Sequence, residues 1–206
     1  MRVFFIAFIV LLASLPAWTE TKPTSQIEYP KTADYLIFEL DGKGGYRSVK
    51  REDLLAGTIP DFPALQIFGN GRAVTYDYDR KFEMQLSEAE LRSFIETVLD
   101  LGIHDLASAD VAAKRITADK ERFQKVGTIG ISADVPTYEL KFNLGGYAPE
   151  AGKALQPIAT RLSWRSVTMS ARRYPRNQEI QSLAALEDFI GELTLKIMTE
   201  SSRQKE

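Results

Sequence analysis

The sequence has no cysteine, one histidine (His104) and two tryptophans in 206 residues. Without cysteine there is no disulfide, no thiol nucleophile and no thiolate-held zinc. A lone histidine cannot build the multi-histidine sets of catalytic zinc, and a Ser-His-Asp triad would have to use His104, yet no Gly-x-Ser-x-Gly turn occurs. His104 follows a helix end in "LGIHDL" and reads as a partner of the negative dipole there. Excess positive charge is also missing: 26 basic against 28 acidic side chains give a net charge of −2. That balance argues against nucleic acid or an anionic membrane as the main partner. Phosphate loops are absent as well. Gly42, Gly44 and Gly45 lack the P-loop spacing, and Arg47 stands where the third glycine of a dinucleotide loop belongs.

The chain opens instead with "MRVFFIAFIVLLASLPAWTE". One basic residue, Arg2, precedes an uncharged run from Val3 to Trp18, and Ala17 offers a small residue for cleavage. Residues 1–17 read as a signal peptide, which makes the protein exported, to a periplasm first and outside the cell second. A retained anchor is the alternative, but the run is shorter than the roughly 20 residues a spanning helix needs. No membrane span is expected in the mature chain. A lipid anchor on cysteine is excluded by composition. With 44% hydrophobic and 26% charged residues, the remainder has the makeup of a globular protein that must fold on its core alone.

Residues 18–32, with two prolines and no periodicity, read as a flexible tether. Residues 33–200 read as a single domain, and 201–206 as a frayed tail. Tyr35 to Leu40 forms a strand, and "DGKGG" a turn. In "ALQIFGNGRAVTYDYDR" a two-residue turn at Asn70 and Gly71 pairs Ile67 with Val74. Leu65, Ile67, Val74, Tyr76 and Tyr78 then face a core, while Gln66, Thr75, Asp77 and Asp79 face water. "KFEMQL" continues the meander. Ser87 with Glu90 is a capping box, Leu91, Phe94, Ile95, Val98 and Leu99 form one stripe, and Gly102 ends the helix. A second helix covers 108–126, and two strands flank Asp134 to Pro136. "PEAGKALQPIATRLS" reads as a helix broken at Pro157, "WRSVTMS" as a strand, and Gln178 to Met198 as a terminal helix. The fold class is α+β: an antiparallel sheet of hairpins with amphipathic helices on one face.

"PALQIFGNGRAVTYD" followed by "LSEAELRSFIETVLDLGI" resembles uncharacterised exported bacterial proteins that share a Gly-Asn-Gly hairpin and an "LSEAEL" helix start. The resemblance implies an α+β domain and transfers no functional residue.

Two groups of residues could carry function. Arg161, Trp164, Arg165, Arg172, Arg173, Tyr174 and Arg176 combine arginine forks with aromatic rings, a pattern suited to an anionic ligand or an envelope protein. Its bland alternative is a solvated strand and loop. Asp77 and Asp79, at i and i+2 of one strand, could act as acid and base or hold a hard cation; otherwise they lie on a wet face beside Arg80 and Lys81. No cofactor is expected. The leading reading is a non-enzymatic binding or accessory module, with a carboxylate-dependent hydrolase or cation-dependent enzyme as its rival.

Overall fold

Alternation of apolar and polar residues along most of the strands builds one sheet. In the computed structural model, residues 25–43, 63–77, 80–126, 136–167, 171 and 174–203 are described. Their strands are β1 (Gln26–Glu28), β2 (Leu36–Lys43), β3 (Leu65–Phe68), β4 (Arg72–Asp77), β5 (Arg80–Gln85), β6 (Thr137–Ala148) and β7 (Gln156–Arg165). All seven join one sheet through antiparallel pairs. β2 to β5 run as a meander, β6 returns beside β2, and β7 pairs the other side of β6. Three helices accompany it: α1 (Glu88–Asp100), α2 (Ser108–Val126) and α3 (Gln178–Arg203). This is the expected α+β architecture.

Register lines up the core. Phe38 stands opposite both Ile67 and Phe142, and Leu40 opposite Leu65 and Leu140; Leu140 in turn meets Leu162. All are buried, each worth about 1.5–3 kcal/mol of transfer free energy. The helices close over this face. Phe94 of α1 meets Phe38 edge-on at 5.1 Å and stacks on Phe189 of α3 at 5.6 Å, so one ring ties sheet and two helices together. The opposite face carries a row in register: Arg161, Lys141, Glu39, Gln66, Val74 and Glu83.

The first hairpin closes one residue away from the expected register. Ile67 pairs with Ala73 and Gln66 with Val74, across a three-residue loop, Gly69 to Gly71, rather than a two-residue turn. Gly71 has φ +85° and donates its N–H to Phe68 O at 2.9 Å, the left-handed third position of such loops. The shift turns Thr75 inward: it is fully buried and its hydroxyl donates to Ala64 O at 2.7 Å.

Residues 25–32 are structured, which corrects the tether reading there. β1 pairs with β6 from Gln26/Ala148 to Glu28/Gly146. Arg92 Nη2 donates to Ser25 O at 3.1 Å, and Lys31 pairs with Glu88. Gly69 donates to Tyr35 O and Asn70 to Thr32 O, so the segment docks on the hairpin loop. The tail reading is corrected as well: α3 runs to Arg203, and Ser201 is buried. "DGKGG" is no turn at its start, since Asp41 to Lys43 belong to β2. The helix expected around Pro157 is instead β7. Ser166 N–H bonds Pro136 O of the strand next door, so even-numbered backbone groups of β7 face β6. Pro157 therefore has its missing N–H on the outer edge, where no sheet partner needs it.

The expected signal segment, the tether before residue 25, and the strand before Asp134 lie outside the described residues. Among the described residues no helix is long and apolar enough to cross a membrane.

Candidate functional site

β7 splits the arginine and aromatic run between two faces. Trp164 points into the core, 4% exposed, and its indole N–H donates to Glu187 Oε1 at 2.8 Å. The same α3 carboxylate accepts from Ser166 Oγ at 2.7 Å and Val167 N at 2.9 Å, clamping the end of β7. Tyr174 is buried too. Arg161 lies on the opposite face, its Nη1 donating to Asn143 Oδ1 and Thr160 O, both at 2.9 Å. Arg165 is half-buried and Arg176 exposed, while Arg172 and Arg173 lie outside the described residues. The described part of the run is thus divided, with Trp164 and Tyr174 buried and Arg161 and Arg165 on the outward side of β7. Within β7 the reason is period two: Leu162 and Trp164 turn inward, while Arg161 and Arg165, at odd spacing from Trp164, turn outward.

Asp77 is exposed at the end of β4, opposite Arg80 in β5. Asp79, and with it the expectation that the two aspartates share one strand face, lies outside the described residues. Among the described residues no cluster of three or more His, Asp and Glu could hold a metal ion.

A groove of about 1150 Å³ forms elsewhere, between the β6–β7 hairpin and the turn that follows α1. Gly102, at φ +68°, reverses the chain after α1 and donates to Leu99 O at 2.8 Å, a left-handed cap of the kind glycine serves best. The chain then makes a 3₁₀ turn, Ile103–Asp105. Buried Ile103 anchors that turn, and His104 O accepts the Thr160 hydroxyl of β7 at 3.2 Å. On the other wall, Lys153 follows Gly152 (φ +85°) in the hairpin loop. Arg161 and Tyr147 complete the lining.

Within the groove His104 lies edge-on to Tyr147 at 5.5 Å. Its Nε2 is 3.3 Å from Asp105 Oδ2, and its Nδ1 is buried without a hydrogen-bond partner. The imidazole thus addresses Asp105 rather than the carbonyls of α1, which differs from the dipole role expected of it. Ser108, also in the lining, has its hydroxyl engaged by the Ser163 N–H at 2.7 Å. No hydrogen bond joins the Ser108 hydroxyl to His104 among the described residues. The two cations are less committed: Lys153 forms no ion pair among the described residues, and Arg161 donates to neutral oxygens, its charge reaching Glu39 without a direct hydrogen bond.

On the open sheet face charges are matched. Burial alone would raise the Glu39 pKa, but hydrogen bonds from Lys141 and Gln66 hold it below its ordinary value. Lys43 pairs with Glu139, and Arg72 and Lys81 with Glu83. Such rows satisfy themselves and leave little for a ligand. Comparison with known proteins finds no matching family model, no matching curated protein and no matching solved structure.

Of the groove residues, sequence reading singled out His104 and Arg161 for separate reasons. His104, Asp105 and Ser108 are close in the chain, but Tyr147 and Lys153 join them only through β6–β7 pairing. A strand reading of 156–165, from the alternation of Thr160, Leu162 and Trp164, would have brought Arg161 to the same place.

Proposed function

We propose that this chain is an exported envelope protein that works as a binding module, taking its ligand in the groove between the 3₁₀ turn and the β6–β7 hairpin. One observation carries the reading: the groove combines an open strand edge with two cations, Lys153, which forms no ion pair among the described residues, and Arg161, whose direct hydrogen bonds go to neutral oxygens while its charge also reaches Glu39. An anionic ligand or protein segment answers both. The export half rests on the basic, apolar and small-residue pattern of residues 1–17. For an enzyme built on Asp77, the exposed strand end opposite Arg80 offers no enclosure.

The test is capture from envelope extract by the chain from Trp18 to Glu206, compared with the double variant Lys153→Glu, Arg161→Glu. Species retained by the parent chain should be lost by the variant. Capture that persists in this variant but is lost on charge reversal at Arg172 and Arg173 would return the site to the arginine run.

A further inference from the structure

We propose that the groove receives an extended acidic peptide, which adds to the sheet as a strand on the outer edge of β7. This rests on the groove being the binding site, and it names what binds there.

Backbone direction is the first support. In an antiparallel strand the N–H and C=O of one residue point to the same side, and the next residue's to the other. Ser166 N–H bonds Pro136 O of the neighbouring strand end, and Ser163 N–H bonds Ser108 Oγ outside the sheet. Both fix the same parity: even residues of β7 face β6, and odd ones face out. Pro157, Ala159 and Arg161 therefore present their main chains to the groove, whose lining includes all three. Pro157 offers a carbonyl only, while Ala159 and Arg161 each offer a donor and an acceptor.

The second support is that the edge is closed on one side of this stretch and open on the other. Ser108 occupies the Ser163 N–H, and α2 packs beside β7 there. Pairing is thereby confined to 157–161, a reach that a strand of about five or six residues covers at roughly 3.3 Å each. Ala159 has the smallest side chain that keeps strand geometry, so an incoming backbone can approach it.

Charge is the third. The added strand would have Arg161 along one of its faces. Its other face would meet the His104 and Tyr147 rings, since Thr160, on that side of β7, bonds the His104 carbonyl. Lys153 closes the hairpin end. Carboxylates alternating with apolar residues match that division. Asp105 is the one acid in the lining, and it faces His104.

The probe is an end-blocked octapeptide of alternating valine and glutamate, titrated into the chain from Trp18 to Glu206 and followed by amide hydrogen exchange in NMR. Exchange at Ala159 and Arg161 should slow about tenfold or more, with Ser163 unchanged. The lysine-for-glutamate peptide and one with two central prolines should bind at least about tenfold more weakly. Ala159→Pro, which removes one donor, should weaken the acidic peptide about tenfold. Lys153→Glu, on a loop outside the strand, should weaken it comparably if Ala159→Pro does not fold. The proposal falls if the peptide does not bind, if it binds without protecting Ala159 and Arg161, or if these amides are already protected by self-association of the free chain. In each case loss of capture by the Lys153→Glu, Arg161→Glu variant still stands or falls alone, so the groove and its occupant are judged separately.

Discussion

The hydroxyl of Ser108, in the first turn of α2, accepts the backbone N–H of Ser163 at 2.7 Å and so closes the outer edge of β7 at one point. A second edge strand, β5, is treated alike: Glu83 N–H meets Ser201 Oγ near the end of α3, at 3.4 Å. A helix serine thus caps the outer edges of both β5 and β7, which limits unwanted strand pairing. Ser108→Ala should cost about 0.5–1.5 kcal/mol in urea unfolding, since water replaces the lost acceptor only in part. It should also lengthen the open stretch of β7 and raise self-association in sedimentation. An unchanged midpoint and mass would show the contact to be idle.

Gly69 and Gly71 make a sharper test, because geometry rather than a ligand requires them. A Cβ on Gly69 would sit 1.9 Å from Pro30 O, and one on Gly71 2.6 Å from Leu86 O. Both obstacles are main chain and cannot swing away. Gly71→Ala adds left-handed strain at φ +85°, roughly 1–2 kcal/mol on top of the clash. Gly69→Ala should displace residues 25–34 from the hairpin, seen as faster exchange at Gly69 and Asn70 and earlier proteolysis near Pro30. Protection equal to the parent's would mean the loop moves at little cost.

What the sequence shows well is what local rules decide. The capping box at Ser87, the stripe of α1 and the Gly102 stop all hold, because each is settled within one or two turns. The register of β3 and β4 does not hold, because Gly-Asn-Gly fits both a two- and a three-residue loop, and docking of Thr32 and Tyr35 on the loop lies far along the chain. Pro157 misleads for a related reason: its meaning depends on which side of β7 is the edge. The groove needs both pieces, the hairpin β6–β7 and the turn after α1, and no periodicity joins them. Trp164 looked like a stacking surface until β7 gave it a direction.

That direction has a consequence for stability. Glu187 collects donors from Trp164, Ser166 and Val167, so removing it strands part-buried N–H groups. Glu187→Ala should lower unfolding free energy by about 2–4 kcal/mol, and Trp164→Phe, which keeps most of the packing, by about 1–2 kcal/mol. Neither should alter capture by the groove in a folded sample. If Trp164→Phe leaves stability intact but abolishes binding, the indole belongs to a ligand site after all.

The pH dependence follows from Glu90. Hydrogen bonds from Lys196 first, then from the Ser87 N–H and hydroxyl, lower its pKa from the usual 4.5 to about 2. Because the folded value is the lower one, its contribution is complete above pH 4.5 and disappears as pH falls toward 2. Lys196 is shifted upward by the same pair, so its share is complete below its usual value and is lost only in strong alkali. Both side chains are more than a third exposed, and solvent screening keeps the ion pair near 0.5–1 kcal/mol. Ser87→Ala should remove about 1 kcal/mol more by uncapping α1. In Glu90→Gln the stability deficit seen at pH 7 should shrink as pH drops from 4.5 to 2, because the parent loses its advantage in that window. Urea unfolding across pH 2–7 measures this directly, and a deficit that stays constant down to pH 2 would place the stabilisation in the neutral hydrogen bonds of the cap instead of the charge.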